Sequence, residues 1–461
     1  MQPLVLNTTP RNTISYFIDG KSIYPKIIEM IKSASKSVYV EVFLFYNDES
    51  GNGIIDALIE KADAGLDVRV LVSEKGTEFN KSTAIYKKFK EHNIKFVPTF
   101  PLPKLVKDFW KLFEWTSEPK EEREDEDKGE SLRLNLDESI QTKISQKSKA
   151  IKDRLYKQCE KDKTRDSNSF LMKLQHGKIL RSLTFYDHRK IIIVDNEKAF
   201  MGGMNFGNDY LFQGAASELG YFHDIGIWVE GDAVKDVLMM YLQIWQLFSG
   251  ETATFSLPKK ESLQSDSKEV SLTTLSSFPR KFPNEIRKSY FNAVMNAKDY
   301  IYIINLYLTD SGLLHELKEA RKRGVDVHLV STFIPTPGIK SWFVRQLYKG
   351  YFYLIFHKEK LQDHGVHLHH YTKYNVHAKV GMVDNNWVTI GSSNLDYSSL
   401  RNAMEINVSL TDSEFIKTLK KNLFDIDFKE SGTLDKKLPF FKRIYYFICY
   451  CTFMVAEKYF I

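Results

Sequence analysis

His188 and Lys190 stand two positions apart in HRKIIIVD (residues 188–195), and His377 and Lys379 do the same in HAKVGMVD (residues 377–384). Each word ends on an aspartate, Asp195 or Asp384. A small-residue turn carrying an amide follows each, GGMN (202–205) and GSSN (391–394). In an extended strand residues i and i+2 face the same side, so each His–Lys pair is expected to project together. The aspartates fall at odd spacing, on the opposite face of a regular strand, and read as structural residues at the strand ends. Glycine lets backbone approach a ligand closely, and the amides of Asn205 and Asn394 can donate to an anionic oxygen. Two His, two Lys and two Asn brought to one pocket suit a phosphodiester. The lysines neutralise its oxygens, one histidine attacks phosphorus, and the other protonates the leaving alcohol. One H-x-K alone would mean little; its repetition with a matching turn carries the inference.

The elements that must position these residues are repeated as well. One separation links His188 to His377, Lys190 to Lys379, Asp195 to Asp384, Gly202 to Gly391 and Asn205 to Asn394, without a gap. Upstream, IIDALIEKADAGLDVRVLVS (54–73) resembles LLHELKEARKRGVDVHLVS (313–331). Each reads as an amphipathic helix, a glycine suited to a left-handed C-cap, and a strand. SVYVEVFLF (37–45) and YIYIINLYL (300–308) read as equivalent strands. The expected fold class is therefore α/β: two tandem α/β units with pseudo-twofold symmetry and one shared site. The predicted boundaries are 1–250 and 268–430, with a linker at 251–267 and an amphipathic tail at 431–461. The first unit carries a charged insertion at about 101–180, which includes SEPKEEREDEDKGE and reads as a solvated loop.

The 461 residues suffice for two or three cores, and 43% apolar with 27% charged residues is ordinary for a globular chain. The net charge of +6 suits an anionic partner without choosing between nucleic acid and acidic lipid. Cys159, Cys449 and Cys451 form no framework and suggest a reducing compartment. No secretory signal is read at the N-terminus. The uncharged stretch Ile444 to Ala456 is shorter than the roughly 18–20 residues needed to span a bilayer. Between Lys442-Arg443 and Glu457-Lys458, it suits a helix lying in a membrane interface or one packed on the protein. HGVHLHHY (364–371) is a conceivable metal site, but no Asp, Glu or Cys nearby in sequence completes it, so none is expected.

The paired words and turns resemble the phospholipase D superfamily signature H-x-K-x4-D followed by G-[GS]-x-N. Within it, DHRKIIIVDNEKAFMGGMN, HDIGIWVEGDAV and HAKVGMVDNNWVTIGSSNLDYSSLRNAMEINVSL are similar to short-form bacterial cardiolipin synthases. The resemblance implies a catalytic set of His188, Lys190, Asp195, His377, Lys379 and Asp384. It implies phosphate-binding and supporting roles for Asn205, Asn394, Ser392, Asp224 and Glu405, the two acids orienting the histidine rings from downstream. It further implies a phosphohistidine intermediate, no cofactor, and no metal. The expected reaction is phosphatidyl transfer from phosphatidylglycerol to a second phosphatidylglycerol, by a protein peripheral on the cytoplasmic side of the cytoplasmic membrane. Anionic phospholipid and a membrane surface are the expected partners, not nucleic acid. Hydrolysis to phosphatidic acid and nuclease activity stay open as alternatives, as does which histidine attacks, with His188 favoured by analogy. The sequence departs from many relatives at NLDYSSL, where an Arg-Ser pair is usual, and at Ala403, where an Asn is usual.

Overall fold

The computed structural model describes residues 8–73, 79–99, 186–217, 220–251, 269–278, 284–334, 342–434 and 437–459. The insertion at 101–180, Cys159 and nearly all of the linker at 251–267 lie outside these residues. The first half contains β1 (Thr9–Ile18), β2 (Ser37–Val42), β3 (Asp67–Ser73), β4 (Lys95–Thr99), β5 (Tyr186–Asp187), β6 (Ile191–Val194), β7 (Lys198–Gly202), β8 (Phe222–His223) and β9 (Ile225–Gly231). The second contains β10 (Val270–Ser277), β11 (Tyr300–Ile304), β12 (Asp326–Ser331), β13 (His367–Tyr371), β14 (Asn375–Val376), β15 (Val380–Val383), β16 (Trp387–Gly391), β17 (Ala403–Leu410) and β18 (Ser431–Gly432). The long helices are α1 (Asp19–Lys32), α2 (Glu49–Asp63), α3 (Phe79–Glu91) and α4 (Asp232–Ser249), then α5 (Glu285–Asn296), α6 (Ser311–Lys322) and α7 (Trp342–Tyr353). A short α8 (Asp425–Glu430) and the C-terminal α9 (Phe440–Tyr459) lie further along the chain.

One mixed sheet holds the molecule together, in the order β18-β13-β12-β11-β15-β16-β17-β10-β1-β9-β7-β6-β2-β3-β4. Stepping outward from the antiparallel β1–β10 pair, the two copies repeat strand for strand: β9 with β17, β7 with β16, β6 with β15, β2 with β11 and β3 with β12. The matched helices form for matched reasons. Asp48 caps α2 by accepting from the Gly51 amide, and Asp310 caps α6 by accepting from Leu313. Each helix is left through a glycine at positive φ, Gly65 at 88° and Gly324 at 91°, where a Cβ would be strained.

The central strands are buried on both faces. Along β6, Ile191 and Ile193 enter a core continuous across both copies, while Ile192 and Val194 enter one belonging to the first copy. The shared core is roofed by α4, whose Tyr241 stacks on Tyr39 at 5.4 Å between ring centroids. A third core packs α5, α6 and α7 on the second copy's strands.

Two predictions are corrected here. The His–Lys pairs do not lie in strands: residues 188–190 and 377–379 are irregular lead-ins, and sheet pairing starts only at Ile191 and Val380. The histidine stretch 364–371 does have an acid beside it, because β12 lies parallel to β13 and carries Asp326 next to His328 and His367. That acid is distant in sequence and therefore invisible to local spacing.

Candidate active site

Two short parallel bridges bring the repeated words together. β5 pairs with the start of β17, and the His188 amide donates to the Met404 carbonyl at 3.0 Å. Symmetrically, β14 pairs with β8, and the His377 amide donates to the His223 carbonyl at 2.8 Å. Each histidine is thereby set beside the residue following its partner strand's bridge. His188 Nδ1 lies 2.9 Å from Glu405 Oε1, and His377 Nδ1 lies 2.7 Å from Asp224 Oδ2. The orienting acids are exchanged between copies, so Asp224 stands upstream of the histidine it holds. Glu405 lies downstream of His188, whereas for His377 the expected downstream acid is replaced by Asp224, upstream.

All six ionisable groups are buried, and their fields overlap. Lys190 and Lys379 each donate to the carbonyl of their own histidine, Lys190 at 2.6 Å. Burial, with both lysines adding to it, pushes the His188 imidazole well below its ordinary value. Burial and the lysine charges likewise bring His377 down to about 3, against the pull of Asp224. Burial lowers Lys190 to about 7 and Lys379 to about 8. Burial also lifts Glu405 to about 8, whereas Asp224 is held below its usual range, against burial, by His377 and Lys379. The half-sites are alike in shape and unlike in charge: Asp224 is ionised, and Glu405 holds its proton near neutrality.

The turns press on the acids. A Cβ on Gly202 would stand 2.3 Å from the Ile225 carbonyl, and one on Gly391 would stand 2.2 Å from that of Ile406. Only glycine lets these turns reach the acid-bearing strands. Ser392 Oγ then donates to Glu405 Oε2 at 2.6 Å. Asn205 accepts from the Leu44 amide at 3.2 Å, while Asn394 is buried with its Oδ1 unpartnered among the described residues. Asp195 and Asp384 are not part of this assembly, and their placement in a catalytic set is corrected. They sit at the far ends of β6 and β15 at φ 54° and 50°. Asp195 accepts from the amides of Ser35, Lys36 and Ser37, and Asp384 from those of Lys298, Asp299 and Tyr300.

Residues missed in the sequence box the rings. Phe43 and Tyr186 stand edge-on to His188 at 5.0 and 5.7 Å, and Tyr210 and Phe222 stand edge-on to His377 at 5.0 and 5.3 Å. Arg189 is buried between Asp187 and Glu41, at 3.1 and 2.5 Å. Against burial, that guanidinium keeps Asp187 ionised, while burial raises Glu41. The second copy has Ala378 at the equivalent place. His223 is held between Asp19 Oδ1 at 2.7 Å and Asp427 Oδ2 at 3.1 Å, which lift it to about 10 in spite of burial.

A family model described as cardiolipin synthase, PLD-like domain, matches residues 27–106 and 290–426, in the two copies respectively. The chain belongs to the phospholipase D superfamily. Among superfamily members, the cardiolipin synthase of Alkalihalophilus pseudofirmus is 25% identical over 433 residues, covering 92% of this chain and 69% of that protein. Cardiolipin synthase 1 of Staphylococcus aureus (strain COL) is 23% identical over 436 residues, covering 93% and 70%. The phosphatidylserine synthase of Haemophilus influenzae Rd KW20 has the same fold, at TM-score 0.66 and 14% identity, with 98% of this chain and 97% of that one covered.

Proposed function

We propose that the chain is a phosphatidyltransferase of the cardiolipin synthase type, taking phosphatidylglycerol as donor and acceptor. The observation that carries this reading is the crosswise pairing of two buried histidines with two buried acids around two buried lysines. In this reading His188 is the nucleophile, and His377, whose ring faces ionised Asp224, carries the proton once the substrate's negative charge offsets the lysine fields that lower it. In the first step the phosphodiester anion offsets the lysine charges that hold His377 neutral, so His377 takes up a proton from water as substrate enters; His188 Nε2 then attacks phosphorus, the phosphorus–oxygen bond to the headgroup glycerol breaks, and His377 gives that oxygen the proton. In the second step the hydroxyl of another phosphatidylglycerol loses its proton to His377 and attacks phosphorus. The phosphorus–nitrogen bond breaks, releasing cardiolipin and restoring both histidines.

The lysines suit an anionic substrate: each is lowered by desolvation, and an entering phosphodiester restores the favourable charge. In this reading the Asn394 carboxamide nitrogen donates to a phosphate oxygen. Peripheral attachment to the membrane is supported by α9. Its Phe440, Phe441, Ile444 and Ile448 are exposed beside exposed Lys442 and Arg443, and among the described residues no helix is long and apolar enough to cross a membrane.

The test is incubation of the purified chain with phosphatidylglycerol vesicles, read by lipid mass spectrometry. Cardiolipin with equimolar glycerol is expected, and no product from His188→Ala or His377→Ala. Phosphatidic acid alone would mean water is the acceptor; substantial turnover by either variant would overturn the shared site.

A further inference from the structure

The histidine stretch 364–371 takes no part in the chemistry above, and β12 changes its meaning. In the parallel β12–β13 pair, His328 stands opposite His367 and Val330 opposite His369. Residues two apart share a strand face, which puts Asp326 and His328 of β12 together and His367 and His369 of β13 together. The rings confirm this: His328 stacks on His367 at 4.6 Å and on His369 at 5.0 Å. His328 Nε2 lies 2.8 Å from Asp326 Oδ2, and His367 Nε2 lies 3.3 Å from Asp326 Oδ1. One ligand atom from each of Asp326, His328 and His367 falls within 4.8 Å of the other two.

We propose that Asp326, His328 and His367 form a binding site for a zinc-like divalent cation, with His369 orienting His328 from behind. Two imidazoles and a carboxylate are a donor set that zinc accepts, with metal–ligand distances of about 2.0–2.2 Å. Tetrahedral ligands at those distances are about 3.4 Å apart, close to the separations seen here, so small side-chain rotations suffice. The fourth position faces solvent, because Asp326 and His367 are each about half exposed, 46% and 53%.

The surroundings behave as an outer shell. His328 Nδ1 lies 2.8 Å from His369 Nε2, a contact that holds a proton between them and leaves His328 Nε2 directed at Asp326. Metal-bound histidines are commonly fixed through their other nitrogen in this way. Phe428 of α8 stacks on His369 at 4.4 Å and lies 4.9 Å from His328, and Tyr302 stands edge-on at 5.0 Å, closing the inner side.

The site is remote from the phosphoryl chemistry. Asp326 pairs with Tyr300 at the start of β11, whereas Lys379 adjoins Val380, which pairs with Ile304 at its end. A cation here would join β12 to β13 near the edge of the sheet, stabilising the second copy by mass action without touching the substrate.

The test is calorimetric titration of the metal-stripped full chain with zinc chloride, alongside thermal unfolding with and without zinc. One zinc per chain at micromolar or tighter affinity, with a raised melting temperature, is expected. His369→Ala should weaken binding about 10–100-fold, as outer-shell losses do, and Asp326→Asn or His367→Ala should weaken it further. His188→Ala/His377→Ala should bind as wild type does. His367 is exposed, so its alanine variant should keep the native circular dichroism spectrum. No binding at micromolar zinc overturns the proposal. So does unchanged affinity in both Asp326→Asn and His367→Ala, or loss of binding in the His188→Ala/His377→Ala protein.

Discussion

The two acids behind His188 and His377 look interchangeable in sequence and differ in the fold. Asp224 is ionised and accepts from His377 Nδ1, so Asp224→Asn presents an amide that favours the wrong tautomer. Turnover should fall about 10³–10⁴-fold. Glu405 is largely neutral near pH 7, and Gln keeps an oxygen for His188 while Ser392 Oγ turns to the Ile406 carbonyl, 3.3 Å away. Glu405→Gln should therefore cost about 100-fold or less; steady-state rates of the two variants at pH 7 decide it, and equal losses would refute the asymmetry. Lys190 gives a second check. Its folded value near 7 lies below the unfolded 10.5, so the native state binds fewer protons between those pH values. Stability from this group thus rises with pH across that window and its cost is largest below pH 7. Lys190→Met should raise the melting temperature by roughly 1–3 °C at pH 6, less at pH 10, and abolish turnover. That His188, Lys190, His377 and Lys379 come together was legible from repetition alone. The exchange of Asp224 and Glu405 was not, because the bridges that dictate it are two residues long and have no periodicity to read.

At the level of elements, the helix–glycine–strand units and the symmetric sheet were legible because their patterns extend over many residues. The lead-ins at 188–190 and 377–379 read as strand in sequence because they run directly into β6 and β15, and nothing local marks where sheet pairing begins. His223 was passed over for the opposite reason: its partners Asp19 and Asp427 come from the start of α1 and from α8, far apart in sequence. They form a buried ion cluster that ties both copies together next to Asp224. His223 has a folded value near 10, above the unfolded 6.5, so its contribution is complete below pH 6.5 and is lost as pH rises toward 10. His223→Gln leaves two acids without their cation and should cost about 3 kcal/mol at pH 6. Denaturant unfolding of wild type and variant at pH 6 and pH 10 measures this; a gap that widens with pH would contradict the assignment.

For the whole molecule, the two copies share one core and one site but differ in what is attached to them, and α9 belongs to the second alone. The sequence leaves two readings of this tail, packed helix or interfacial helix, and the structure gives the helix one packed face and one exposed apolar face. Cys449 and Phe453 face α7 so closely that a Cβ on Gly350 would lie 2.6 Å from both the Cys449 carbonyl and the Phe453 Cβ. Tyr446 packs edge-on against Phe352 at 5.7 Å. The other face presents Phe440 and Phe441, 71% and 82% exposed, with Ile444 and Ile448. Deleting the helix would uncover α7 and confuse attachment with folding, so the informative change is confined to the outer face. Phe440→Ser/Phe441→Ser/Ile448→Ser should reduce co-sedimentation with phosphatidylglycerol vesicles at least about tenfold, each side chain being worth ~1.5 kcal/mol or more when buried in an apolar phase. The melting temperature and turnover of a short-chain soluble phosphatidyl substrate should hold at wild-type values. High salt should loosen the wild-type protein only partly, because Lys442 and Arg443 are screened while apolar burial is not. Undiminished vesicle binding by the triple variant would place attachment elsewhere on the molecule, and a fall in melting temperature would mean the outer face is itself packed.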